Sequence, residues 1–238
     1  MGREFRRRLS GVALMAKVEF RGVTLDSRTA RMMDVVAMRT GPKIIPTQGS
    51  FSTSVAASAG THSGAGAIDL SVRGLDTPRV NGIVKVMRQV GFAAWHRLPS
   101  EGPWPVHIHG IAVNAPGLSS GAARQVAALR RGRNGLANDG RDRHRNMNLP
   151  VIAFEKFLTN TNTGAVVDLS DLQAQVRNTG RITGVVARAL AAMNLPATRD
   201  GYRRVQLILG FTGADADGIP GKTSLSRLGD AFGFKIRL

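Results

Sequence analysis

Four of the five histidines in this 238-residue chain fall between positions 62 and 109, at His62, His96, His107 and His109. Two of them, in His107-Ile108-His109, sit inside the apolar run Val106 to Val113. That run reads as a strand, where residues i and i+2 point to the same face, so both rings look into one pocket. Upstream, His62 and Asp69 lie seven residues apart in Gly-Thr-His-Ser-Gly-Ala-Gly-Ala-Ile-Asp-Leu, residues 60–70. Small residues between them let the backbone turn, and Ala67 to Val72 then reads as a buried strand. A histidine, an aspartate and a second histidine with an open fourth position form the donor set of a catalytic zinc site.

The stretch from Gln48 to Val113 resembles the D-alanyl-D-alanine carboxypeptidase family of zinc peptidases, which includes phage endolysins that cut the peptide stems of peptidoglycan. The resemblance rests on Gln48-Gly49-Ser50, Gly60-Thr61-His62, Asp69-Leu70-Ser71 and His107-Ile108-His109. It implies zinc as the cofactor, His62, Asp69 and His109 as its ligands, and His107 beside the metal to stabilise an oxyanion. The family's general base precedes the last histidine by three residues, and that position is Val106 here. Glu101, in Pro99-Ser100-Glu101-Gly102, is the nearest upstream carboxylate that can substitute. The family's carboxylate-gripping Gly-Tyr-Arg-Ser stretch has no clear counterpart, and Gly49-Ser50-Phe51-Ser52 stands in its place. Gln48 and Ser50 are candidate polar groups of the pocket wall, and Trp104, in Pro103-Trp104-Pro105, is a rigid aromatic candidate for lining the cleft.

A hydrophobic fraction of 42% is ample for a core, and no apolar run approaches the roughly 20 residues that span a membrane. The chain has no cysteine, which excludes a disulfide framework and thiolate-ligated zinc. The formal net charge of +17 seeks polyanions such as nucleic acid, teichoic acid or the carboxylates of wall peptides.

Residues 1–16 carry Arg6-Arg7-Arg8 and a short apolar patch, and read as a basic arm without a convincing signal peptide. Lys17 to Leu25 alternates as a strand, and Asp26 or Ser27 caps a helix through about Met38, ended by Gly41-Pro42. Thr77-Pro78 opens a second helix with Val80, Ile83, Val84 and Met87 on one stripe and Gly91 as its stop. Phe92 to Leu98 reads as a strand in which His96 is packed beside Trp95, and Ala122 to Leu129 as a short helix.

From there the arginine clusters of residues 130–145 suggest a linker over residues 121–148. No aromatic residue occurs between Trp104 and Phe154, so base stacking on this segment is poorly supported. Residues 149–238 read as a small, mostly helical domain, with a helix from Ile182 to Met193 and another capped by Asp200. Leu209-Gly210-Phe211 and Asp217-Gly218-Ile219-Pro220-Gly221-Lys222-Thr223 resemble the three-helix peptidoglycan-binding module, although Thr223 comes one residue early. A phosphate loop would need glycine at Ala216, and a calcium loop glycine at Pro220.

The expected fold class is α+β: a small antiparallel sheet with flanking helices carries the zinc-type site within residues 17–120, and a helical domain follows. The expected function is zinc-dependent hydrolysis of peptidoglycan, outside the cell after release or on a virion. The expected partners are peptidoglycan and anionic wall polymers. Two alternatives are open: an impaired peptidase that binds walls or serves among other phage virion proteins, and a basic nucleic-acid-binding protein.

Overall fold

The computed structural model describes residues 16–41, 44–54, 58–147 and 149–238. The basic arm expected over residues 1–16 lies outside them except for Ala16, as does Pro42. The fold is α+β, with small sheets and eight α-helices among the described residues. Two compact units divide the chain: residues 1–33 with 44–154, and residues 34–43 with 155–238.

In the first unit, the stretch that alternates from Lys17 is a hairpin rather than one strand. β1 (Lys17–Phe20) pairs antiparallel with β2 (Val23–Asp26) across Arg21-Gly22, both at positive φ. Such a two-residue turn matches the twist of the strands it joins. Helix α1 (Ser27–Thr40) follows directly. The fully buried Asp26 caps it, accepting from the Thr29 backbone N–H at 2.9 Å and the Thr29 hydroxyl at 2.7 Å. The same carboxylate accepts from the Gly66 N–H at 2.9 Å, so the cap also ties down the start of the strand carrying Asp69.

The main sheet has four antiparallel strands in the order β3-β4-β6-β5: β3 (Pro46–Gln48), β4 (Ala67–Ser71), β5 (Phe92–Arg97) and β6 (His107–Ala112). Its two faces follow from the period-2 alternation. On one face lie Ile68, Leu70, Ile108 and Phe92, all fully buried. Helix α2 (Thr77–Val90) belongs to this side and buries its stripe of Val80, Ile83, Val84 and Met87. Each such side chain contributes about 1.5–3 kcal/mol on burial. A Cβ on Gly110 would come within 2.4 Å of the Met87 methyl, so glycine there lets α2 lie against β6. Asp76 caps α2 through the Arg79 N–H, and Gly91 closes it at φ 113°.

The opposite face carries Asp69, His107, His109, Trp95 and Arg97. Its inner half is covered by α3 (Ser120–Arg130), whose Ala122, Val126 and Leu129 pack with Ala93, Trp95, Ile111 and Val113. The outer half is left open.

The segment expected as a linker is integrated into this unit. Beyond α3 the chain makes a short hairpin, bridged at Arg133 and Arg141. It returns to the sheet through Asp142, which is 2% exposed. Asp142 receives two hydrogen bonds from Arg88 of α2, at 2.8 and 3.0 Å, and Arg88 also donates to the Ala94 and His144 carbonyls. In sequence this run reads as a solvated charge cluster; one of its acids is instead a buried counter-ion. His144 is buried alongside, its ring pushed down to about 4 by desolvation and then by the Arg88 charge.

The second unit takes the C-terminal half of α1 together with α4 (Phe154–Thr161, from Glu155 on), α5 (Leu169–Thr179), α6 (Gly184–Ala192), α7 (Arg199–Ile208) and α8 (Lys222–Phe232). A parallel pair, β7 (Val166–Asp168) with β8 (Lys235–Arg237), completes it. Thr198, rather than Asp200, caps α7 by accepting from Gly201 N–H. The buried Gln206 side chain holds the loop after α7, accepting from Gly218 N–H at 2.7 Å and donating to the Ile219 carbonyl at 3.0 Å.

Removing one member of a buried ion pair strands the other, at a cost of about 3–5 kcal/mol. Asp142→Ala is therefore expected to destabilise the first unit by about that amount in chemical denaturation. A loss below about 1 kcal/mol would show that Arg88 does not depend on this partner.

Candidate metal centre

Antiparallel pairing places Asp69 opposite His109, Ser71 opposite His107, and Trp95 and Arg97 of β5 opposite the same two histidines. The third imidazole arrives from outside the sheet. Gly60, at φ 72°, starts a 3-10 turn over Thr61–Ser63 that directs His62 inward, where it is 1% exposed. Asp69 Oδ1 lies 2.7 Å from His109 Nδ1, 3.3 Å from His62 Nε2 and 3.8 Å from His107 Nε2. One ligand atom each from His62, Asp69 and His109 lies within 4.8 Å of the other two, so the group can hold a metal ion.

Hydrogen bonds on the far side of each ring decide which nitrogen faces the carboxylate bare. A carbonyl only accepts, so the 2.8 Å contact of His62 Nδ1 with the Gly49 carbonyl puts the proton on Nδ1. His107 Nδ1 donates in the same way to the Pro105 carbonyl at 2.7 Å. His109 Nε2 faces Gln125 Oε1 at 2.9 Å. In their neutral forms His62 and His107 thus turn a lone pair toward Asp69, whereas His109 has one proton between two acceptors, Asp69 Oδ1 at 2.7 Å and Gln125 Oε1 at 2.9 Å. Metal-ligating histidines are held by such outer partners as a rule. The 3.3 Å gap between His62 Nε2 and Asp69 Oδ1 is close to the edge of a tetrahedron with bonds of about 2.0–2.1 Å, roughly 3.3 Å.

Burial alone would raise the Asp69 carboxyl, but the facing His109 and His62 rings override it and hold the group far below its ordinary value. Burial would lower His62, yet its hydrogen bond and charge attraction to Asp69 carry it above the ordinary imidazole value. Burial wins at His109, whose pKa falls despite Asp69, with the His62 and Arg97 charges adding to the effect.

The cluster lies in a cleft of about 1560 Å³. Gln48 is in its wall, opposite Asp69 in register, and exchanges hydrogen bonds with Ser58. Ser50 borders the cleft but is 3% exposed, its hydroxyl given to the Ala67 carbonyl at 2.9 Å, so it serves the sheet edge. Trp104 lies edge-on to His107 at 6.4 Å and donates its indole N–H to the Leu98 carbonyl. Glu101 also lines the cleft, but both its oxygens are engaged, by the Leu98 N–H at 2.9 Å and by Arg143 at 2.9 Å. Val106, at the position expected for the base, is exposed in the wall. His96 pairs with Ile108 in register and faces away from the cluster.

Two cleft residues went unread in the sequence. Gln125 completes the i, i+3, i+4, i+7 stripe of Ala122, Val126 and Leu129 on α3, and a polar residue on a buried stripe was the available signal. Arg97 is 3% exposed, stacks over Trp95 at 4.7 Å and donates to the Asn134 carbonyl, and burial pulls its pKa down to about 10. Its period-2 spacing from Trp95 was the only hint.

In the second unit, a depression of about 340 Å³ is bordered by Gln173, Arg177, Phe211 and residues 219–224. No described helix is long and apolar enough to cross a membrane. The chain matches no family model, no curated protein and no solved structure.

Because Asp69 holds His62 above the ordinary imidazole value, an incoming ion competes with protons for that ring. Metal affinity is expected to rise with pH through and above the ordinary imidazole value of about 6.5, and calorimetry in buffers of different ionisation enthalpy should record proton release. Binding that is independent of both pH and buffer would contradict this competition.

Proposed function

We propose that the chain is a zinc-dependent peptidase acting on the stem peptides of peptidoglycan. The observation that carries this reading is the convergence of His62, Asp69 and His109, each ring fixed from behind, at one cleft. Two imidazoles and a carboxylate suit zinc, and His62, Asp69 and His109 resemble the ligand set of the zinc-peptidase pattern in kind and order, with Val106 as the departure at the base position. Zinc held there supplies Lewis acidity, which polarises a carbonyl and acidifies water.

The chain's own groups account for the rest of the chemistry. His107 presents a bare Nε2 beside Asp69, with its Nδ1–H held by the Pro105 carbonyl. In this state it accepts a proton from an attacking water; once protonated it hydrogen-bonds the developing oxyanion and passes the proton to the leaving amine nitrogen as the C–N bond breaks. That assignment covers the proton acceptor missing at Val106 without requiring Glu101 to leave Arg143. Trp104 and the Gly135-Leu136-Ala137 turn wall the cleft and exclude water around a bound peptide. The residues around Gly218 and Thr223, which resemble a peptidoglycan-binding module, supply attachment to the wall, and the net charge of +17 favours an anionic one.

A second reading is a metal-binding site without turnover, within a wall-binding or virion structural protein. Val106 and the fully engaged carboxylate of Glu101 favour it.

Digestion of purified cell walls separates the two. The zinc-loaded protein is expected to release new amino groups, and chelation to stop the release. His107→Ala is expected to lower turnover by roughly 100- to 1,000-fold while zinc content stays constant. Zinc-loaded protein that releases no amino groups from walls of several chemistries would leave the second reading standing.

A further inference from the structure

We infer that Gln125 is a tautomer lock for the metal centre: its side-chain carbonyl oxygen decides which nitrogen of His109 is free to ligate. This inference rests on the zinc reading above and names a positioning residue, not a catalytic one.

His109 differs from the other two rings in what stands behind it. The partners of His62 and His107 are backbone carbonyls, which the fold supplies whatever the local side chains are. His109 is backed by a side chain, Gln125 of α3, at 2.9 Å from Nε2. Its other nitrogen is 2.7 Å from Asp69 Oδ1. A neutral imidazole carries one proton, and the two neighbours compete for it. With the proton on Nε2, Gln125 accepts it and Nδ1 is bare, ready for a metal. With the proton on Nδ1, Asp69 accepts it, and the two would-be ligands close on each other in a charge-assisted hydrogen bond. Only the first state leaves both the Asp69 oxygen and the His109 lone pair free. The ring is 5% exposed and stacked on Trp95 at 19° between planes, so it cannot turn over to exchange its nitrogens cheaply.

Gln125 is itself held in place. A Cβ at Gly135 would meet the Gln125 Cβ and Cγ at 3.3 Å and Trp95 at 3.4 Å, and Gly135 has φ +71°. The turn after α3 therefore lies against the lock, which gives the arginine-rich segment a part in the metal site.

The test uses the full chain and zinc alone. Gln125→Met removes the acceptor at similar volume, whereas Gln125→Glu keeps it. Expected in Gln125→Met is a roughly 10- to 100-fold loss of zinc affinity by competition with a chromophoric chelator, with thermal unfolding of the metal-free protein unchanged. Gln125→Glu should retain wild-type affinity or exceed it. Nitrogen-15 spectra of metal-free protein at a pH where His109 is neutral should show a protonated Nε2 in wild type and a protonated Nδ1 in Gln125→Met. Wild-type protein with the proton already on Nδ1, or Gln125→Met with full zinc affinity, would overturn the inference. Wild-type protein that binds no zinc would sink the zinc reading instead, and the spectra would still decide where the proton lies.

Discussion

The register between β4 and β6 is the constraint on which the cleft depends. Asp69 stands directly opposite His109, and Ser71 opposite His107, because these two strands pair antiparallel with no bulge between them. A slip of one residue would turn both histidines toward α2 and leave Asp69 against Gly110 or Ile108. The register is fixed from both ends. Asp26 grips Gly66 just before β4, and Met87 fills the space that Gly110 leaves on the opposite face. The apolar packing of α2 and α3 thus holds a polar cluster that on its own would repel a close-packed core.

A buried carboxylate surrounded by three imidazoles is costly unless each group is compensated. Here the compensation comes in two layers. Asp69 draws on the rings, and the rings draw on the Gly49 and Pro105 carbonyls and on Gln125. The outer layer sets the direction of the His62 and His107 lone pairs in the inner one. The two neighbouring imidazoles shift in opposite directions because His62 gains more from Asp69 than burial takes away, and His109 gains less.

Much of the site was legible in the sequence because strand periodicity is short and local. His107 and His109 fall on one face by counting, and the apolar residues between them demand burial. Helix α2 was equally plain, with its Asp-Thr-Pro start and Gly91 stop. What the sequence concealed were partners distant along the chain. The turn at Arg21-Gly22 carries a residue with no special liking for positive φ, so one strand was expected where a hairpin forms. Asp142 reads as one charge among many arginines, and nothing local says that it pairs with Arg88, 54 positions away, inside the unit. Gln125 shows its role only once α3 is laid across β6. Glu101 was the reasonable substitute for a missing base by proximity in sequence, but its oxygens are committed to Leu98 and Arg143.

The central claim, a metal ion held by His62, Asp69 and His109, is tested most directly by X-ray absorption at the zinc edge on the zinc-loaded protein. The account predicts one zinc per chain with two imidazole ligands and light oxygen donors, at about 2.0–2.1 Å. Zinc bound with fewer than two imidazoles, or a protein that takes up no metal, would contradict it.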